Sequence, residues 1–213
     1  MRLAVVGINT DMTVTAERIP LKGETLMGSS LSYIPGGKGA NQAVAMAKLG
    51  AEVEMFGCVG DDSNGEKMLE NLKAVGVGTE HIQILKGVPT IAMITVGDND
   101  NTIIVVPGAN GKVDRAYIDS IKSELEKFDM VVLQHEIPLE TVHYVIEFCY
   151  EKGIKIVLNP APAAAVPAGR AGSERRQRLS LCDPGELLLR SGARQNLLPR
   201  CEVRPEGGRA ETE

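Results

Sequence analysis

Apolar positions along this chain switch between two rhythms. The run Leu3-Ala4-Val5-Val6 is short and continuous, the pattern of a strand buried on both faces, and it predicts a first strand over residues 2–8. A helix is predicted over 40–49, a strand over 52–59, and a second helix over 64–75 behind the capping residues Asp61-Asp62-Ser63. Residues 90–96 and 102–106 alternate with period two around Gly97-Asp98-Asn99-Asp100-Asn101, a turn-forming stretch, and so predict an antiparallel hairpin. The parallel pattern then resumes, with helices over 114–127 and 139–152 and strands over 130–133 and 154–158. The fold class expected is α/β with a β flap. An isolated hairpin is marginal in water, so the apolar face of the flap, read as including Ile91, Met93 and Ile103, is expected to be covered by a second copy in a homodimer.

Composition narrows the function classes. A hydrophobic content of 43% in 213 residues is enough for a real core. A net charge of −5, only 3% aromatic residues and no Trp argue against a nucleic-acid surface. The opening apolar run is too short for a signal peptide or a membrane span, which predicts a cytoplasmic protein without membrane partners. Cys58, Cys149, Cys182 and Cys201 form no C-x-x-C pair and suit reduced thiols better than a zinc site or a disulfide framework.

Residue usage changes near position 163. Up to Ala163 there are eleven Lys, three Arg and fifteen Ile; from Ala164 to Glu213 there are nine Arg and neither Lys nor Ile. Gly, Pro and Arg interrupt nearly every apolar face in that tail. Residues 164–213 are therefore expected to be a divergent Arg-rich segment that does not continue the sheet and is mobile from about Ala165. Its origin is either a frameshift, since shifting the codons of 167–172 by one base permits Leu-Pro-Glu-Glu-Leu, or a natural disordered tail.

The candidate chemistry sits in Pro35-Gly36-Gly37-Lys38-Gly39-Ala40-Asn41-Gln42-Ala43. Glycine permits positive φ and lets main chain come close to a polar ligand, while the helix that follows presents unpaired N–H groups. Lys38 is followed by Gly39 rather than Ser or Thr, and Gln42 stands where a dinucleotide fingerprint needs glycine, which excludes a P-loop and a good Rossmann fingerprint. Asn9, Thr10 and Asp11 follow the first strand at the sheet edge where open α/β folds bind ligands, and Glu136 follows the strand at 130–133 in the same way. The alternatives are capping for Asn9, Asp11 and Asn41, a turn for Thr10, and plain solvation for Lys38 and Glu136. His135 is read as a packed histidine.

Together these motifs resemble the ribokinase-like, or PfkB-type, family of carbohydrate kinases over residues 2–163. The resemblance rests on Gly7-Ile8-Asn9-Thr10-Asp11, Gly23-Glu24-Thr25, the segment 36–43, Gly60-Asp61-Asp62 with Gly65, Pro107-Gly108-Ala109-Asn110, Gln134-His135-Glu136 and Asn159-Pro160-Ala161-Pro162. It implies a ribokinase-like three-layer fold with a small β-sheet lid, truncated in its C-terminal half. It also implies ATP-dependent phosphorylation of a sugar hydroxyl with Mg2+, ribose being the leading substrate and another sugar or a nucleoside the alternative. Residue by residue, it assigns sugar contacts to Asn9, Thr10, Asp11, Gly37, Lys38, Gly39, Ala40, Asn41 and Glu136, and places Asn159 toward the nucleotide. The family's second half carries an Asn-x-x-Glu segment for phosphate and Mg2+ and a Gly-Ala-Gly-Asp segment with the catalytic base. Neither occurs after Ala163, and Asp183 and Glu186 lack a glycine nest, so the resemblance also allows a non-catalytic sugar-binding fragment.

Overall fold

The computed structural model describes residues 1–89, 91–98 and 100–164, and the backbone of 179–181. In chain order the strands are Arg2–Val6 (β1), Asn9–Thr15 (β2), Ser30–Gly36 (β3), Glu52–Gly60 (β4), Gly78–Leu85 (β5), Ala92–Gly97 (β6), Asp100–Val105 (β7), Met130–Gln134 (β8), Lys155–Asn159 (β9) and Leu179–Leu181 (β10). The helices are Lys38–Lys48 (α1), Ser63–Ala74 (α2), Arg115–Leu125 (α3) and Leu139–Lys152 (α4), with a 3-10 turn at Gly108–Lys112.

A parallel sheet in the order β10-β9-β8-β1-β4-β5 forms the middle layer. Successive strand residues point to opposite faces, so each buried strand feeds two cores. Leu3 and Val5 pack with Ala40, Ala43, Met68 and Leu72 of α1 and α2, whereas Ala4 and Val6 belong with Ile118, Leu125, Val142 and Val145 of α3 and α4. This is the expected three-layer α/β fold. Each buried Leu or Ile contributes about 2 kcal/mol, enough to hold helices whose outer faces are charged. Asp62 caps α2 by accepting from the N–H groups of Asn64 and Gly65, and Asp114 caps α3 by accepting from Tyr117 N–H. Gly153, with φ 74°, ends α4 in the left-handed conformation.

The pairing of β4 and β5 is irregular between Glu54 and Phe56, and Tyr117 bridges that place. Its buried hydroxyl accepts from Gly57 N–H at 2.6 Å and donates to the His81 carbonyl at 2.7 Å. Tyr117→Phe leaves both backbone groups unpaired and is expected to cost about 2 kcal/mol. Urea denaturation giving the parent stability would show that the bridge contributes nothing.

Three expectations need correction. The first strand stops at Val6, because Gly7 (φ 113°) turns the chain, and Asn9–Thr15 opens a second sheet. That sheet has four strands rather than the two of the hairpin, in the order β3-β2-β6-β7. Second, Ile103 does not share a face with Met93: the turn after Gly97 sets a register in which Met93 opposes Ile104 and Ile94 opposes Ile103. Both faces of the flap therefore expose apolar side chains, Met93 and Ile104 on one and Ile103 on the other. Third, the tail does continue the sheet at one place, since Leu179–Leu181 pairs in parallel with Ile156–Leu158 and satisfies backbone groups at the β9 edge. The mobility expected from Ala165 onward otherwise falls outside the described residues.

Cys58 and Cys149 are buried free thiols, and burial pushes both up to about 12. They are expected to resist alkylation at neutral pH until urea unfolds the chain. Rapid labelling of either in the native protein would contradict their placement. Cys182 and Cys201 lie outside the described residues. Among the described residues no helix is long and apolar enough to cross a membrane.

Candidate functional site

Strand order reverses between β1 and β8: from β1 the sheet grows through β4 and β5 to one side and through β8 and β9 to the other. Ligands of open α/β sheets bind outside the carboxyl ends of the strands at such a switch point. Here Asn9 and Asp11 leave the β1 side and Gln134, His135 and Glu136 leave the β8 side. The four-stranded flap rises from this crevice, because β2 starts at Asn9 and β3 ends at Gly36, which is its register partner.

The glycines of the loop act on packing. A Cβ on Gly36 would lie 2.2 Å from Asp11 Oδ2, one on Gly37 2.7 Å from Asn9 N, and one on Gly39 2.2 Å from the Gly7 carbonyl oxygen. The space expected beside a ligand is therefore filled, in part, by the chain itself. The Gly37 and Gly39 contacts draw α1 against the strand that carries Asn9 and Asp11 and the turn that precedes it. Gly37, with φ 79°, is the N-cap, and α1 starts at Lys38, two residues earlier than the pattern indicated.

Glu136 is the hub of the charged groups. Its Oε2 accepts the Lys38 backbone N–H at 2.7 Å and its Oε1 accepts Lys38 Nζ at 2.8 Å. The Glu136 side chain is 7% exposed and that of Lys38 40%, so the pair closes one wall of the crevice while the ammonium keeps contact with water. Asp11 is half-buried. Burial, and secondarily the neighbouring Glu136 carboxylate, push its carboxyl above the usual range, while Lys38 opposes the shift.

The other assigned residues divide. Asn9 is buried at the crevice. Thr10 is 2% exposed with an unpartnered hydroxyl, and strand alternation turns it to the face of β2 opposite Asn9 and Asp11. Ala40 packs in the core beside Ala43, and the exposed Asn41 side chain makes no cap for α1. Asn159 ends β9 buried, opposite Gln134, on the far side of β8 from Asn9. His135 is packed: its N–H donates to the Ala161 carbonyl and its Nδ1 lies 3.1 Å from the Pro162 carbonyl oxygen.

Two buried amides carry the site without having been assigned a role from sequence. Asn110 Oδ1 accepts Ile8 N–H at 2.9 Å and ties the 3-10 turn to the strand end. Gln134 Nε2 donates to Gln42 Oε1 at 2.7 Å and ties α1 to β8. The available signal was that both sit at loop or strand ends among motif residues, where an amide can complete backbone bonds. Among the described residues no three His, Cys, Asp or Glu side chains converge as a metal site.

The profile of the pfkB family of carbohydrate kinases matches residues 1–173. A ribokinase of Bacillus subtilis (strain 168) is 47% identical over 163 residues, 76% of this chain and 56% of that protein. A deoxyribokinase of Salmonella typhimurium is 40% identical over 166 residues, 76% of this chain and 54% of that protein. The structure of Arabidopsis thaliana ribokinase complexed with ribose and ATP superposes with a TM-score of 0.71 at 30% identity, covering 84% of this chain and 58% of that one. The chain spans about half the length of the curated relatives it matches.

Proposed function

Because the chain belongs to the pfkB family of carbohydrate kinases, we propose that residues 1–163 are the sugar-binding part of an ATP-dependent sugar kinase, with ribose the preferred acceptor. The observation that carries this reading is the Lys38–Glu136 pair at the start of α1, with Asn9 packed against Gly37 and Asp11 against Gly36 of the same loop at the switch-point crevice. An amide and carboxylates there can donate to and accept from the vicinal hydroxyls of a pentose. Gly37, Gly39 and Ala40 set the backbone that faces the sugar, and Asn41 reaches it from the first turn of α1. Thr10 contributes through strand packing.

ATP and Mg2+ belong to the family reaction, and Asn159 is the residue offered to the nucleotide side. The described residues do not fit the group beyond that: Asn159 is a neutral amide buried at a strand end, and no acidic cluster accompanies it. The step derived for this chain is therefore sugar binding alone. We extend the same proposal to a homodimer formed through the flap, a cytoplasmic location, and a divergent Arg-rich segment over 164–213.

Isothermal titration tests the reading. The chain is expected to bind ribose weakly and 2-deoxyribose more weakly still, and Asp11→Ala is expected to remove the binding. Equal affinity of parent and Asp11→Ala for ribose would place the sugar elsewhere.

A further inference from the structure

We propose that Asn110 is a positioning residue that holds the root of the flap, and with it Asn9, in the arrangement that receives the sugar. The effect on the sugar rests on the function proposed above, whereas the role at the root stands on the geometry of the chain alone.

The chain passes between the flap and the rest of the fold four times, after β1, β3, β5 and β7. The 3-10 turn that carries Asn110 gathers three of these crossings. It is itself the one after β7. The crossing after β5 is tied to it because Ala109 N–H donates to the Pro89 carbonyl at 3.0 Å, and a Cβ on Gly108 would lie 2.1 Å from that oxygen. The crossing after β1 is tied to it by the Asn110 side chain, whose Oδ1 accepts Ile8 N–H at 2.9 Å.

That N–H falls between two ladders. Gly7 N–H still donates to the Phe56 carbonyl at 3.1 Å, and pairing in the flap begins only at Asn9 opposite Gly36, so Ile8 is buried between the two sheets. A buried N–H needs an acceptor, and here a side chain 102 positions away supplies it. Asn110 is itself buried, and its carbonyl accepts Val113 N–H at 3.1 Å, so the amide is held from behind. Ala109 packs in the core on the α3–α4 face, Ile8 in the core on the α1–α2 face. Asn110 therefore joins both layers at the sheet edge, through the residue that precedes Asn9.

Without the acceptor, Ile8 N–H is satisfied only when the root opens to water, and a ligand that requires the closed root has to reverse that opening. Asn110→Leu keeps the size and removes the acceptor. Its Ile8 amide hydrogen is expected to exchange at least about tenfold faster, and ribose is expected to bind about tenfold more weakly. Asn110→Asp keeps an oxygen in the same place and is expected to recover both to within about threefold. Val145→Ala, in the core under α4, is the stability control: its urea midpoint falls and its ribose affinity stays at the parent value.

An Asn110→Leu protein with lowered stability but parent ribose affinity would make Asn110 a packing residue only, which overturns the proposal. Unchanged Ile8 exchange in that variant, or an Asn110→Asp protein no better than Asn110→Leu, overturns it as well. If Asn110→Leu does not fold, hydrogen exchange in the parent decides: the Ile8 and Ala109 amides are expected to open together, and independent opening removes the shared root. A parent chain that binds no ribose removes the sugar reading, whereas Ile8 exchange in the two Asn110 variants still decides the role at the root.

Discussion

Gly39→Ala is expected to destabilise the chain by about 3 kcal/mol, against the roughly 1 kcal/mol that alanine gains as a helix former, and to abolish ribose binding. The added Cβ would lie 2.2 Å from the Gly7 carbonyl oxygen and 2.8 Å from Gln134 Oε1. The first of these is backbone in the strand end that holds the site, so no rotamer change relieves it, and α1 has to move away from β1. That movement stretches the bonds from Lys38 to Glu136 and from Gln134 to Gln42, the links between helix and sheet edge. Gly76→Ala is the control. Its Cβ meets nothing within 4 Å, and only its left-handed φ of 80° is penalised, by about 1 kcal/mol, with ribose affinity intact. Urea denaturation and ribose titration of both variants provide the readout. A Gly39→Ala protein with parent stability and parent affinity would show that the close approach is not needed.

What the sequence disclosed and what it hid follow from how each element is stabilised. β1, β8 and β9 are buried on both faces, so their continuous apolar runs were visible. The β6–β7 hairpin was visible because its turn residues are diagnostic, yet the face assigned to Ile103 was wrong, since alternation within a strand does not reveal the register across a turn. β3 and β5 were not recognised. β3 ends in Pro35-Gly36, which reads as a loop, but it is an edge strand of the flap, where a missing N–H is tolerated. β5 is likewise an edge strand, with Glu80, His81 and Gln83 diluting its apolar pattern. At the site, the glycine loop and the strand-end residues were legible as a motif. The bond between Lys38 and Glu136 was not, because the partners are 98 positions apart and each is an ordinary charged residue beside a loop. The opposite facing of Thr10 was missed for the same reason as β2 itself: Asn9-Thr10-Asp11 looks like a turn after β1, and only the sheet it joins shows the alternation.

The 213-residue chain is expected to phosphorylate ribose at a rate at least about 10⁴-fold below that of a chimera in which the second half of the Bacillus subtilis ribokinase follows Ala163. Phosphoryl transfer relies on positioning and charge stabilisation, so the residues proposed to hold the sugar are expected to do little for the rate on their own. A general base contributes ~10²–10⁴-fold and one preorganised donor at the developing charge ~10²–10³-fold. The segments that would supply both in the family, Gly-Ala-Gly-Asp and Asn-x-x-Glu, do not occur after Ala163 in this sequence. The proposed sugar side is different, since the Lys38–Glu136 pair and the Asn9 and Asp11 contacts with the glycine loop all lie within residues 1–163. A coupled ADP-release assay on the chain, the chimera and the chimera carrying Asp11→Ala separates the two halves of the argument. The chimera should turn over, its Asp11→Ala form should not, and the 213-residue chain should bind ribose without releasing ADP. Turnover by the 213-residue chain comparable to the chimera would mean that residues 164–213 supply a base and a phosphate site by other means. A folded chimera that phosphorylates no pentose would remove the sugar-kinase reading of the crevice itself.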